Sequence, residues 1–217
     1  MFFVLSIVDL LVLLFLSRLV TRSLSRLIHN TTHRLRLTVK IFSFLLLPGT
    51  LIHELSHLLV SRLLGVKTHA FVLTPVLEEN TVRLGSISIE KTDPFRKTLI
   101  GIAPLLVGLA LVVLLLWWVA NRVEPAVWQI LLVGYGIFQV SNTMFPSKAD
   151  MTGAPQVVIL LLGILIALLI IFGNGASFLI AIGSSTFFEQ AVSYLTGVVG
   201  IDTVALTILH ILLRLRR

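Results

Sequence analysis

Two histidines and a glutamate stand together in one of the most apolar regions of this chain, LIHELSHLLV at residues 51–60. On a helix, His53 and His57 are separated by one turn plus about 40°, so their imidazoles project from the same face and can chelate one ion. Zinc is the natural candidate. Glu54 lies about 100° around the helix from His53, where it can reach a metal-bound water. This H-E-x-x-H spacing predicts hydrolysis in which the carboxylate accepts the proton of the water and later delivers it to the leaving amine.

A chance match to the motif is the alternative interpretation, in which the three polar side chains only pack between helices. In a loop, this alternative would be as good as a metal site. Within a membrane span it is weaker, because ionisable side chains there are costly and generally need partners. The apolar setting of the motif therefore favours a metal site.

A catalytic zinc ion takes three protein ligands and keeps one position for water. The soluble pattern H-E-x-x-H-x-x-G-x-x-H would need glycine and histidine where this chain has Val60 and Leu63, so the third ligand comes from elsewhere. The acids between residues 78 and 93 belong to a segment rich in solvated charges, whereas Asp150 directly follows an apolar run that carries Asn142. The candidates for the third ligand are His69, Glu78, Glu79, Glu90, Asp93 and Asp150.

The composition indicates what kind of fold must position these residues. Of 217 residues, 57% are hydrophobic and 12% charged, and the mean hydropathy is +1.04. This predicts an all-α polytopic membrane protein with about six transmembrane or membrane-embedded helices in a single membrane domain, residues 1–217. Because the chain contains no cysteine, disulfide bonds and thiolate chemistry are excluded. The net charge of +7 is expected to meet lipid headgroups and not nucleic acid.

The predicted elements follow from the apolar runs and the residues that interrupt them. Pro48 and Gly49 indicate a kink or restart just before the motif. β-branched residues between 66 and 97, around the turn-prone EEN, predict a small β-hairpin between the second and third spans. Spans are predicted at about 2–20, 41–65, 98–120, 127–145 and 155–172, with a short span or interfacial helix in 174–217. Three parts result: a first span with a basic amphipathic segment (1–40), a catalytic core (41–153) and C-terminal helices (154–217).

Charged residues outside the motif have simpler interpretations. Asp9 in the first span is either a shallow interfacial residue, which is favoured, or a functional intramembrane acid. Basic residues recur at helical spacing between 18 and 40, which predicts an amphipathic helix lying on anionic lipid headgroups. Asp202 and the terminal arginines suit the two ends of the last helix.

The order of these elements resembles the site-2 protease family of intramembrane zinc metalloproteases. An H-E-x-x-H in one span is followed by a hairpin, a proline-containing span and a span that ends in NTMFPSKAD. The family's signature reads approximately N-x-x-P-x-x-x-x-D-G, and Asn142 stands eight residues before Asp150, in agreement with that spacing. The middle span of the family often carries G-P-x-x-N, of which this chain keeps Pro104. Its departures, which mark a divergent member, are Ala103, Val107, Met151 and the late Pro146.

The resemblance covers residues 41–153 and implies an intramembrane protease that cuts transmembrane protein substrates. It implies His53, His57 and Asp150 as zinc ligands and Glu54 as general base and acid. It also implies that Asn142 lies near the scissile carbonyl as an oxyanion or substrate-orienting donor. A multi-pass protein of a prokaryotic cell membrane is expected, and homodimerisation is left open.

A metal-binding membrane protein without protease activity is the competing hypothesis. It would be a divalent-cation carrier or an inactive homologue that holds membrane substrates. A carrier is expected to place polar ligands along several spans, whereas here they converge at one place. An inactive homologue would typically lose the glutamate, and this chain keeps Glu54. Both observations favour hydrolysis.

Overall fold

The computed structural model describes residues 2–73, 76–78, 81–152 and 186–215, together with residues 154, 155, 157 and 159. In these ranges the chain is mostly helical, as predicted. Its helices are α1 (Phe2–Thr32), α2 (Leu35–Leu45), α3 (Leu47–Leu63), α4 (Pro94–Ala120), α5 (Val127–Thr143) and α6 (Thr186–Leu215). The span predicted at 155–172 lies almost wholly outside the described residues.

Two helices are long and apolar enough to cross a membrane, namely α4 and the Glu189–Leu215 part of α6. The pair α2 and α3, bent by 68°, would make a third span if it crosses as one broken unit. These helices agree with the membrane class predicted from composition. The expected number of about six spans is not confirmed by the residues that the structure describes.

The first helix is longer than expected. The sequence predicted a span ending near residue 20 and a separate basic helix up to residue 40, but α1 runs unbroken through Phe2–Thr32. No glycine or proline interrupts this stretch, so nothing ends the helix. The break comes instead at His33, whose φ of 50° lies in the left-handed region. The predicted boundary between a first span and an interfacial helix is therefore wrong.

A β-hairpin connects α3 to α4, as the sequence predicted. Its base is an antiparallel ladder in which Thr68 pairs with Ile89 and Val72 with Ser86, interrupted by an irregularity after Thr68. A second antiparallel ladder continues toward the tip. The strands are β1 (Thr68–Val72), β2 (Val76–Glu78), β3 (Thr81–Arg83) and β4 (Ser86–Ile89).

The bend between α2 and α3 is held by a glutamine from α5. In an unbroken helix, the Gly49 N–H would donate to the carbonyl of Leu45. Here the side chain of Gln139 stands between them: its Oε1 accepts from Gly49 N at 3.3 Å, and its Nε2 donates to Leu45 O at 2.7 Å. Pro48, which cannot donate a backbone hydrogen bond, is compatible with this break. The kink predicted at Pro48 and Gly49 is confirmed.

The apolar core joins four helices around the site. Leu13 of α1, Val112 of α4, Ile137 of α5 and Val198 of α6 are nearly or fully buried against one another. Asp9 is also buried, and its Oδ2 accepts a hydrogen bond from Thr196 of α6 at 2.8 Å. Asp9 therefore joins α1 to α6, and the interfacial position favoured for it from the sequence stays a prediction.

Candidate metal centre

Three of the predicted ligands meet in space. His53 and His57 lie on α3, and Asp150 lies in the turn that follows α5; their ligand atoms are all within 4.8 Å of one another. The two Nε2 atoms are 3.2 Å apart. The Asp150 carboxylate oxygens lie 3.8 Å from His53 Nε2 and 3.5 Å from His57 Nε2. Residues nearly a hundred positions apart thus form one cluster.

Both imidazoles are held in one tautomer by backbone carbonyls. His53 Nδ1 is 2.6 Å from the carbonyl oxygen of Thr143, and His57 Nδ1 is 2.7 Å from that of Ile100. Because a carbonyl oxygen only accepts, each Nδ1 carries the proton and each neutral ring presents a lone pair at Nε2. Two lone pairs that face each other at 3.2 Å repel each other unless a metal ion or a proton lies between them. A carbonyl behind each ligating histidine is the usual second shell of a zinc site.

The carboxylate of Asp150 is positioned by its own turn. Ser147 N donates to Asp150 Oδ2 at 2.7 Å, and Asp150 N donates back to Ser147 Oγ at 3.3 Å. Burial acts to raise the pKa of the Asp150 carboxyl, but interactions with His53, Ser147 and His57 outweigh it and lower the pKa to about 2. Asp150 is therefore ionised at neutral pH, as a metal ligand must be.

A glycine on α4 allows this turn to approach. A Cβ atom at Gly101 would stand 2.9 Å from the carbonyl carbon of Asp150, which is closer than a side chain tolerates. Gly101 neighbours Ile100, whose carbonyl orients His57. One turn of α4 therefore positions both the imidazole of His57 and the carboxylate of Asp150.

The cluster fits a zinc ion in donor type and in spacing. Ligand atoms about 2.0 to 2.1 Å from a tetrahedral zinc ion are about 3.3 Å from one another. Here the two Nε2 atoms are 3.2 Å apart, and each lies 3.5 to 3.8 Å from the Asp150 oxygen nearest to it. Two neutral imidazoles and one carboxylate form a donor set known for catalytic zinc. Three ligands also leave a fourth position for water.

Among the other candidate ligands whose side chains the structure describes, none joins this cluster. His69 and Glu90 are not part of it, and Asp93 instead caps α4 by accepting a hydrogen bond from Arg96 N at 2.9 Å. The side chains of Glu78 and Glu79 lie outside the described part of the chain.

Glu54 lies beside the cluster, beneath the hairpin. Its side chain is 6% exposed, and a Cβ atom at Gly85 would stand 2.9 Å from both Cγ and Oε1 of Glu54. The backbone just before β4 therefore passes directly over the carboxylate, and a side chain at Gly85 would force Glu54 to shift. The predicted general base is covered by the hairpin on one side and lines the same cavity as His53, His57 and Asp150.

Asn142 lines the same cavity, but its amide is engaged with α6. Asn142 Nδ2 donates to Asp202 Oδ1 at 3.0 Å and to the carbonyl of Phe138 at 2.9 Å. Ser141 Oγ donates to the same oxygen of Asp202 at 3.1 Å. Among the described residues, Asn142 Oδ1 and Asp202 Oδ2 are buried without a hydrogen-bond partner. One of these acceptor oxygens belongs to the predicted catalytic amide itself, and the other belongs to the carboxylate that this amide contacts.

Asp202 is the residue of this region that sequence reasoning placed wrongly. It was expected at the end of the last helix, but it lies in the middle of α6 and is 0% exposed. An acid inside an apolar helix is costly without partners, and that cost was the available signal. The signal was missed because Asp202 was expected at an end of the last helix, whereas α6 begins at Thr186.

Known protein families, curated proteins and solved structures were each compared with this chain, and none matches. The likeness to site-2 proteases thus depends on the motifs alone. What this chain does is therefore inferred from the geometry of the site.

A cavity of about 1140 Å³ opens onto the cluster. Its walls come from α1, α2, α3, α4, α5, the strand β4 and the turn after α5. His53, Glu54, His57 and Asp150 all line it.

Proposed function

We propose that this chain is a zinc-dependent intramembrane endopeptidase, a divergent member of the site-2 protease family in a prokaryotic cell membrane. Its substrates would be transmembrane proteins, and the chain would cross the membrane several times. The observation that carries the proposal is the convergence of His53, His57 and Asp150, with both imidazoles fixed in the ligating tautomer. Glu54 beside them adds the proton carrier that hydrolysis needs.

His53, His57 and Asp150 would hold the zinc ion. When bound, the ion supplies Lewis acidity to the water and to the scissile carbonyl. Glu54 accepts a proton as the oxygen of the water attacks the carbonyl carbon. The same carboxyl then donates that proton to the amide nitrogen as the C–N bond breaks, which leaves a carboxylic acid and an amine. Gly85 lies over one side of the Glu54 carboxylate.

The hairpin and Asn142 are proposed to orient the substrate. Ser86, Ile87 and Ile89 of β4 line the cavity, and among the described strands β4 pairs with β1 alone. An extended substrate segment would add to the second edge of β4 through main-chain hydrogen bonds. Asn142 would exchange one of its hydrogen bonds, to Phe138 or to Asp202, for a bond from its amide to the scissile carbonyl.

Glu54→Gln tests the proposal. We expect hydrolysis of a panel of single-span substrates to be lost while bound zinc stays at the wild-type level, because Glu54 is not a ligand. Metal analysis and a cleavage assay on the same purified protein measure both. Glu90→Gln, an exposed change on the hairpin side, is the matched control and retains both properties.

The competing function, a membrane protein that binds metal without hydrolysis, predicts a different result. It predicts zinc in the wild-type protein but no cleavage of any substrate in the panel. Full activity of the Glu54→Gln variant would contradict the protease mechanism itself.

A further inference from the structure

One wall of the cavity carries a row of arginines. Arg18, Arg22 and Arg26 recur every fourth residue on α1, so they lie on one face of the helix, and all three line the cavity. Lys97 at the start of α4 and Lys148 in the turn before Asp150 complete the set. Five cationic side chains from three elements therefore surround the approach to the metal cluster.

These cations are not neutralised within the described part of the chain. The acids there that line the cavity are Glu54 and Asp150, which belong to the metal centre. None of the five cations forms an ion pair with a described carboxylate. The described lining of the cavity thus has an excess of positive charge, to which a bound zinc ion would add.

The arginine row is anchored to the site. Ser17 Oγ, one residue before Arg18, donates to the backbone carbonyl of Asn142 at 3.2 Å. Val20, on the opposite side of α1 from the row, is fully buried. The row is therefore held beside the catalytic cavity, although sequence reasoning assigned this basic segment to lipid headgroups.

The spacing of the arginine row matches the spacing of alternate side chains on an extended peptide. Residues four apart on a helix are about 6 Å apart along its axis. Alternate residues of an extended chain are about 6.6 to 6.8 Å apart and share one face. Guanidinium groups bind carboxylates in a bidentate manner. Arg18, Arg22 and Arg26 can therefore meet three alternate acidic side chains of one extended segment.

We propose that the cavity recognises acidic side chains at alternate positions of an extended substrate segment, next to the bond that is cut. This inference depends on the proposed protease function, since it names the class of substrate. β4 would bind the main chain of that segment, while the arginine row would bind its carboxylates.

Peptide binding tests this without requiring hydrolysis. The full-length Glu54→Gln protein is placed in bilayer discs of phosphatidylcholine, and binding of a labelled peptide with aspartates at three alternate positions is compared with its asparagine counterpart. We expect the aspartate peptide to bind more tightly, and we expect salt to weaken its binding. In this background, Arg22→Glu should weaken aspartate-peptide binding roughly fivefold or more and Arg22→Lys by less. Equal binding of the two peptides would overturn the inference.

Arg36→Glu provides the matched control, because Arg36 is an exposed arginine of the same basic segment that does not line the cavity. It should bind both peptides like the parent protein. Zinc content, measured for every variant, should stay constant and shows that the site remains folded. An equal loss of aspartate-peptide binding in the Arg36→Glu protein would contradict a site formed by the row.

A measurement of lipid binding is the second part of the test. If the row instead binds phosphate headgroups, Arg22→Glu will reduce the phosphatidylglycerol that the protein retains when it is purified from mixed-lipid discs and leave peptide binding unchanged, which would overturn the inference. Cleavage assays with the wild-type protein then separate the two proposals. Hydrolysis of both substrate types without acid preference contradicts the acidic-substrate inference alone. Acid-selective binding without any hydrolysis supports the anion site and contradicts the protease.

Discussion

Each histidine of the cluster is oriented by a different helix. His53 donates to Thr143 at the end of α5, and His57 donates to Ile100 in α4. Because the acceptors are backbone atoms, no single side-chain substitution removes them. The ligating tautomers therefore persist as long as α4 and α5 keep their places against α3. Asp150 lies in a turn and is hydrogen-bonded by Ser147 of that same turn. This difference makes its carboxylate the most informative ligand to change.

Asp150→Ala should reduce zinc affinity by more than the 10- to 100-fold that loss of a second-shell partner typically costs, because it removes one of three ligands. Zinc titration of the metal-free protein measures the change. Asp93→Ala removes a carboxylate outside the cluster and should leave zinc affinity unaltered. Unchanged zinc binding in the Asp150→Ala protein would mean that the third ligand lies elsewhere.

Sequence alone was sufficient for the local half of this site. His53, Glu54 and His57 are related by helical periodicity, which is readable from spacing. Asp150 was one of six candidates; its place directly after an apolar run set it apart, and the resemblance to a family implied it as the third ligand. Its approach depends on the missing side chain of Gly101 and on the turn at Ser147. Such tertiary contacts leave no periodic signal.

At the scale of elements, α5 determines where α3 begins. Gln139 replaces the hydrogen bond that would otherwise join Leu45 to Gly49, and thereby holds the 68° bend between α2 and α3. The kink was predictable from Pro48 and Gly49, whereas the partner from α5 was not. A glutamine in an apolar helix indicates a buried polar contact but not which backbone groups it reaches.

Gln139→Met keeps the volume of this side chain but removes both hydrogen bonds. Leaving the buried backbone groups without these partners should lower the free energy of unfolding by about 1 to 3 kcal/mol. Zinc affinity should fall as well, because the bend positions His53 against Thr143. Thermal unfolding in detergent and zinc titration measure the two effects. Gln190→Met, at an exposed glutamine of α6, is the control; equal effects in both variants would contradict a specific role for Gln139.

At the scale of the whole molecule, α6 brings distant parts of the chain together. It packs along α1, where Thr196 donates to Asp9, and it reaches the site through Asp202. Composition predicted a helical membrane protein with a hairpin, and both features are present. The role of α6 was missed, because nothing local in the sequence shows that residue 202 contacts residue 142.

We therefore expect Asp202 to act as a positioning residue for Asn142 in the proposed reaction. Asp202→Leu should lower kcat by about ten- to a hundredfold, as loss of a supporting hydrogen bond does elsewhere, while zinc content stays constant. A purely structural role would also lower activity, so a double-mutant cycle with Asn142→Ala separates the two. If Asp202 acts through Asn142, then Asp202→Leu costs little further kcat once Asn142 is alanine. Additive losses in kcat would show that α6 supports the fold without orienting the amide.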